Sequence, residues 1–150
     1  MSAHTYTVDL RWNAGRTGEL SSPVLTDRIE VATPPEFPKG VEGIWSPEHL
    51  LTASVNSCFM TTFLAIAENS NLAFTKFSCH AEGILDKSDG KYMITNIILK
   101  PELEIVNEAD SEKAHRILEK SEKACLISNS IKSVVELVPV VFAGEASHII

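Results

Sequence analysis

Little in this sequence points to a nucleotide, a metal or a nucleic acid. Its seven glycines form neither GxGxxG nor GxxxxGK[ST], so no phosphate cradle is encoded. No GxSxG occurs, which removes the nucleophile elbow of a serine hydrolase. His4, His49, His80, His115 and His148 make no HExxH, and there is no CxxC. Cys79 beside His80 is too close to make a good zinc half-site. No cofactor and no bound metal are expected. Lys and Arg number 13 against 20 Asp and Glu, and they are scattered. A net charge of −7 without a basic stripe argues against nucleic-acid and anionic-membrane partners.

Targeting signals are also scarce. MSAHTYTVDLRW has no charged leader followed by an apolar run, so no secretory signal is expected. The one apolar stretch of spanning length, Leu50 to Ala67, is interrupted by Thr52, Ser54, Asn56, Ser57, Thr61 and Thr62. It also lacks flanking Lys or Arg anchors, and no membrane span is expected. There are only three cysteines, and with no leader they point to the cytoplasm. In that compartment a Cys pair is more often reactive or metal-binding than structural, and the odd count leaves at least one unpaired.

What is present suits one globular domain, residues 1–150, with enough apolar residues (44%) to build a core. Thr5 to Trp12 alternates as a half-buried strand does, and Asn13 to Gly18 (NAGRTG) is a tight polar turn carrying Arg16. Glu19–Ser22 and Val24–Ala32 read as further strands, and Thr33–Gly43, with three prolines and two glycines, as a loop. Ser46 to Ser70 reads as a long helix, with Ser46 as N-cap and Pro47 at the first helical position. Ala73–Leu85 and Lys91–Val106, joined by the KSDG turn, predict a hairpin broken in rhythm at Pro101. A second helix starts at Asp110, without a capping box, and buries Ala114, Ile117, Leu118 and Ser121. A short helix over Ser128–Val134 and a last strand through Val141 follow, with Pro139 marking an edge or bulge. The order predicts an α+β domain.

Apolar residues on the long helix cover more than one face, so protein should wrap it on several sides. Cys58 lies near its middle, and by itself reads first as a small buried hydrophobe. Cys125 sits at the junction after the second helix, where amides of a following helix would favour a thiolate. A lowered pKa at Cys58 would need an outside cation or donor. Arg16 is the most isolated cation, and a guanidinium can face a thiolate while holding a carboxylate bidentately. Glu48, at the mouth of the long helix, is the obvious carboxylate. Ten residues of continuous helix put Glu48 and Cys58 about 15 Å apart along the axis, too far for one site in one chain. A two-fold dimer would resolve this by placing one subunit's Arg16 and Glu48 over the other's Cys58.

SPEHLLTASVNSCF, the NAGRTG turn after an alternating first strand, and CLISNSI at Cys125 together resemble the OsmC/Ohr family of thiol peroxidases. The resemblance covers nearly the whole chain. It implies an intertwined homodimer with long central helices packed against curved antiparallel sheets, and two active sites shared at the interface. By position it makes Cys58 the peroxidatic and Cys125 the resolving cysteine, closing a Cys58–Cys125 disulfide. Arg16 would polarise thiolate and peroxide, and Glu48 would orient Arg16 across the subunit boundary. The implied substrate is an organic hydroperoxide, and the reductant an external dithiol or lipoylated protein. Phe37, Trp45 and Phe59 could line an apolar mouth or be plain core. The sequence departs from the family where Leu126 replaces the usual proline after the second cysteine. It departs again at His49, where the organic hydroperoxide subgroup tends to have glutamine. A thiol-based redox sensor and a non-catalytic binding protein are the rival classes. Cys79 has no role in the mechanism and is expected to be core.

Overall fold

A computed structural model describes residues 3–144, and His148 lies outside them. The chain forms two compact units, Met1–Leu50 and Leu51–Ile150.

In the first unit, β1 (Asp9–Ala14), β2 (Thr17–Ser22) and β3 (Leu25–Ala32) form an antiparallel sheet in that order. The first strand begins later than its alternation suggests. Its ladder with β2 starts at Asp9 opposite Ser21, where β2 is about to turn into β3, so earlier residues lack a partner there. The β1–β2 loop is only Gly15 and Arg16, closed by pairing of Ala14 with Thr17. Gly15 takes the left-handed conformation (φ +55°) that such a tight reversal requires. The indole N–H of Trp12 donates to the Gly15 carbonyl (3.0 Å), and the Thr17 hydroxyl to the Ala14 carbonyl (2.8 Å). Register puts Leu10, Leu20 and Ile29 in one row and Trp12, Gly18 and Val31 in another. These rows share a face, because residues two apart on a strand point the same way. After β3 the chain loops and returns along it, the Ala32 N–H donating to the Trp45 carbonyl (2.9 Å).

Helix α1 runs from Pro47 to Asn69, within one residue of the expected span. By length and apolar composition it could cross a membrane. Its residues Val55, Phe59, Phe63 and Ala67, spaced at four, instead form one buried stripe in the core of the second unit. That stripe meets Ile97, Leu99, Leu103 and Ile105, which belong to the second sheet, and Ala114, Ile117 and Leu118. Phe63 stacks on Phe77 at 4.6 Å and meets Phe74 edge-on at 5.3 Å. The expectation of protein on several sides of α1 is not met by this chain alone: Met60 (40%) and Leu64 (42%) stay exposed. Gly83 lies so close under α1 that a Cβ there would run into the Thr52 side chain.

The second sheet is mixed, which corrects the all-antiparallel expectation. Long strands β4 (Phe74–Ser88) and β5 (Lys91–Ile105) pair antiparallel, but β6 (Val134–Leu137) and β7 (Val140–Ala143) run parallel to β5. The reason is α2 (Ser111–Ala124), which carries the chain back so that it re-enters the sheet alongside β5. Asp110 makes no side-chain cap, but the buried stripe is the expected Ala114, Ile117, Leu118 and Ser121. The Ser121 hydroxyl is satisfied within the helix, donating to the Ile117 carbonyl (2.6 Å). β5 is continuous through Pro101, which is fully buried. The expected last strand is instead two, separated by Val138–Pro139 opposite the Lys100–Pro101 stretch of β5, where Pro101 has no N–H to give. The helix expected over Ser128–Val134 shrinks to a three-residue turn, Ser128–Ser130, because Val134 onward pairs with β5.

Phe63→Ala should lower unfolding free energy by about 3–5 kcal/mol, read from the midpoint and slope of urea denaturation.

Candidate active site

Cys58 sits one residue before Phe59 on α1, turned off the buried stripe and half-buried. Its sulfur lies 3.9 Å from the Thr62 hydroxyl oxygen, one turn on. Partial burial raises its pKa. Hydrogen bonds from the Cys125 thiol, the Ile127 N–H, the Thr62 hydroxyl and the Leu126 N–H outweigh that and hold it below the ordinary thiol value. The structure thus brings Cys58 and Cys125 together. Cys125 caps the end of α2 and is fully buried. Burial pushes its pKa up, and so do its hydrogen bond to Cys58 and the charge there, against donors from the Ser128 side chain and N–H. The two shifts have opposite signs because one proton between two sulfurs favours charge on Cys58. The expectation of a thiolate at Cys125 is therefore reversed. The segment after Cys125 is no true helix, and its amides serve the other sulfur.

Cys79, on β4, is half-buried, and burial pushes its thiol up to about 11. Its carbonyl accepts from the Asn56 side-chain amide of α1 (3.0 Å). Phe59 is fully buried and packs on Phe77, so it is core and lines no mouth.

Arg16 and Glu48 lie in the first unit. Arg16 is displayed at the tip of the β1–β2 loop, exposed, and lines a surface hollow with Ala14, Gly15, Thr17, Lys39 and Val41. Glu48 stands in the first turn of α1 and is half-buried. The residue that sequence reasoning left without a role is His49. The Ser46 N–H donates to its Nδ1 (3.2 Å), while its own N–H donates to the Ser46 hydroxyl oxygen (3.2 Å). This is a capping box with an imidazole where Glu or Gln is usual. The Ser46 hydroxyl is 2.7 Å from Nδ1, so Nδ1 accepts and the ring proton stands on Nε2. The signal was present in the three-residue spacing of Ser46 and His49. Trp45, half-exposed, meets the His49 ring edge-on at 6.0 Å, and both line a hollow of about 280 Å³ with Gly43 and Ile44.

The sequence model of the OsmC-like protein family matches residues 40–138. The chain belongs to the OsmC-like family. It is 28% identical over 142 residues to the uncharacterised protein YmaD of Bacillus subtilis strain 168, covering 91% of this chain and 93% of that protein. The fold is similar to that of an OsmC-like protein of unknown function from Vibrio cholerae (TM-score 0.82, 23% identity, 93% of this chain and 100% of that one). It is also similar to the organic hydroperoxide resistance protein OhrB of Bacillus subtilis (TM-score 0.66, 21% identity, 92% and 98%).

Within this OsmC-like chain, the departure at Leu126 acquires a physical meaning. A proline there would have no N–H, whereas the Leu126 amide is the last and smallest of the donors that lower the Cys58 pKa. Cys125 has φ −63° and ψ 115°, an extended conformation that a following proline accepts without rearrangement. Leu126→Pro can therefore test the amide with little disturbance. Alkylation of Cys58 by iodoacetamide should rise through a midpoint below the ordinary thiol value of about 8.5, and Leu126→Pro should move that midpoint up. Cys79 should alkylate only at strongly alkaline pH, near its value of about 11.

Proposed function

We propose that the protein is a cysteine-based peroxidase that reduces organic hydroperoxides to alcohols. The observation that carries this reading is that half-buried Cys58 on α1 meets buried Cys125 at the end of α2, the first thiol held below its ordinary pKa and the second above it. The Cys58 thiolate attacks the terminal oxygen of ROOH. The O–O bond breaks, the terminal oxygen stays with its hydrogen on sulfur as the Cys58 sulfenic acid, and RO⁻ takes a proton from water to leave as ROH. Cys125 then attacks the sulfenic sulfur, releasing water and closing a Cys58–Cys125 disulfide. An external dithiol, free or as the lipoyl group of a protein, reduces the disulfide by exchange and is itself oxidised. Three free thiols fit a reducing cytoplasm. The similarity to a protein named for organic hydroperoxide resistance supports the substrate class.

In this reading Arg16 stabilises the thiolate and the charge growing on the departing oxygen, and Glu48 orients Arg16. Both come from the partner of a homodimer. The unpartnered apolar surface supports such an assembly: Leu10 (68%) and Trp12 (72%) stand exposed on one face of the first sheet. Met60 and Leu64 stand exposed on α1. Contiguous exposed apolar surface marks interaction sites, whereas singly exposed apolar residues do not.

Reduced protein mixed with cumene hydroperoxide and a dithiol should consume peroxide, and without the dithiol its mass should fall by two hydrogens. Cys58→Ser should abolish both, while Cys125→Ser should leave a sulfenic acid trappable by dimedone. Full turnover by Cys58→Ser would exclude the mechanism. Light scattering should give twice the chain mass, and Trp12→Asp should shift it toward monomer with loss of turnover.

A further inference from the structure

The proposed chemistry uses Glu48 but leaves the residue after it without a task. His49 closes the first turn of α1 onto Ser46, which is fully buried. Three contacts meet there. The Ser46 N–H donates to Nδ1 (3.2 Å), the Ser46 hydroxyl lies 2.7 Å from the same nitrogen, and the His49 N–H donates to the hydroxyl oxygen (3.2 Å). Glu48 stands between these two partners, so the turn that carries it is fastened on both sides. Glutamine in this position would close the same box without ever changing charge, whereas an imidazole changes charge between pH 5 and 8.

The box is also tied to the Arg16 turn, within the same unit. Ser46 follows Trp45, which bridges Val31 of β3 and accepts the Ala32 N–H on its carbonyl (2.9 Å). Ala32 pairs with Thr17, and the Thr33 N–H donates to the Arg16 carbonyl (3.3 Å). The end of β3 thus holds the Arg16 turn on one side and the α1 cap on the other. Through the closed cap, the backbone carrying Glu48 is registered to the backbone carrying Arg16. The hollow at the His49 ring is lined by Gly43, Ile44 and Trp45, none of them charged. The ionisable residues on the neighbouring elements are Glu48 on α1, Glu42 on the loop, Glu30 on β3 and Arg16 in the turn.

We propose that His49 is a positioning residue: its neutral ring locks the first turn of α1 and so sets Glu48 for Arg16, and protonation of the ring releases that turn. The inference rests on the peroxidase reading for the roles of Arg16 and Glu48. Protonation acts in three ways, all in one direction. A hydrogen on Nδ1 takes away the lone pair, so the Ser46 N–H faces another donor inside a fully buried site. The imidazolium also sits at the positive end of the α1 dipole, where a cation is disfavoured. Lastly, it places a cation next to Glu48 that competes with Arg16 for the carboxylate.

His49→Gln keeps the box and removes the titration, so it is the deciding variant. The kcat/KM for cumene hydroperoxide is measured for both proteins from pH 8 to pH 5.5. Loss of the Cys58 thiolate lowers both alike and cancels in their ratio. The ratio of His49→Gln to wild type should rise about tenfold over this range, because an imidazole that titrates near pH 6.5 is about nine-tenths protonated at pH 5.5. His49→Ala, which lacks the box, should lower kcat already at pH 8, and glutamine should restore it. A ratio that stays flat with pH, or full kcat in His49→Ala, would overturn the assignment. Thermal melting gives a readout independent of catalysis. His49→Gln should melt close to wild type at pH 8 and above it at pH 5.5, and a gap that does not widen refutes the proton-controlled cap. Failure of wild type to turn over cumene hydroperoxide at pH 8 would instead count against the peroxidase reading, with the melting series still deciding the cap.

Discussion

Everything in the second unit depends on a single helical stripe. Val55, Phe59, Phe63 and Ala67 repeat every fourth residue, and their burial against β4, β5 and α2 fixes the rotation of α1 about its axis. Two fully buried phenylalanines contribute several kcal/mol, on the order of 1.5–3 each, so the helix cannot roll without a large loss. With that rotation set, position 58 has only one direction in which to point. The core thus does more than stabilise the unit: it aims a sulfur.

What the sulfur meets is set by the other end of the core. Ala114, Ile117 and Leu118 seat α2, whose last turn delivers Cys125 and then two backbone amides. Backbone donors differ from side-chain donors in being nearly immobile and always protonated, so their field on the Cys58 sulfur does not itself titrate. The Leu126 side chain is exposed, and it is the amide that adds to the field lowering the Cys58 pKa.

Much of the architecture was legible in the chain. Hydrophobic period, caps and turn residues are local signals, and they placed α1, α2, the first sheet and the β4–β5 hairpin within a few residues of their observed limits. Local signals do not reveal which open sheet edge a later segment will find. The local pattern suits a short helix through Val134, yet Val134–Leu137 forms a parallel strand because the edge of β5 is free to receive it. The site divides the same way. Cys58 and Cys125 were visible as residues, but the direction of each pKa shift was not, since the donors come from segments far apart in sequence. His49 could have been found, because Ser46 and His49 carry the spacing of a capping box, but imidazole is not the side chain one looks for there.

One structural detail bears on how cleanly the chain can be oxidised. Three thiols permit three different single disulfides, and a protein that cycles through a disulfide risks scrambling among them. Exchange proceeds through thiolates, so a thiol that is almost never ionised is nearly silent as an attacker. Cys79, with its pKa pushed to about 11 by the packing of β4 under α1, is such a thiol. In the proposed cycle, ordinary core packing thereby acts as kinetic insulation, keeping Cys79 out of exchange with Cys58 and Cys125.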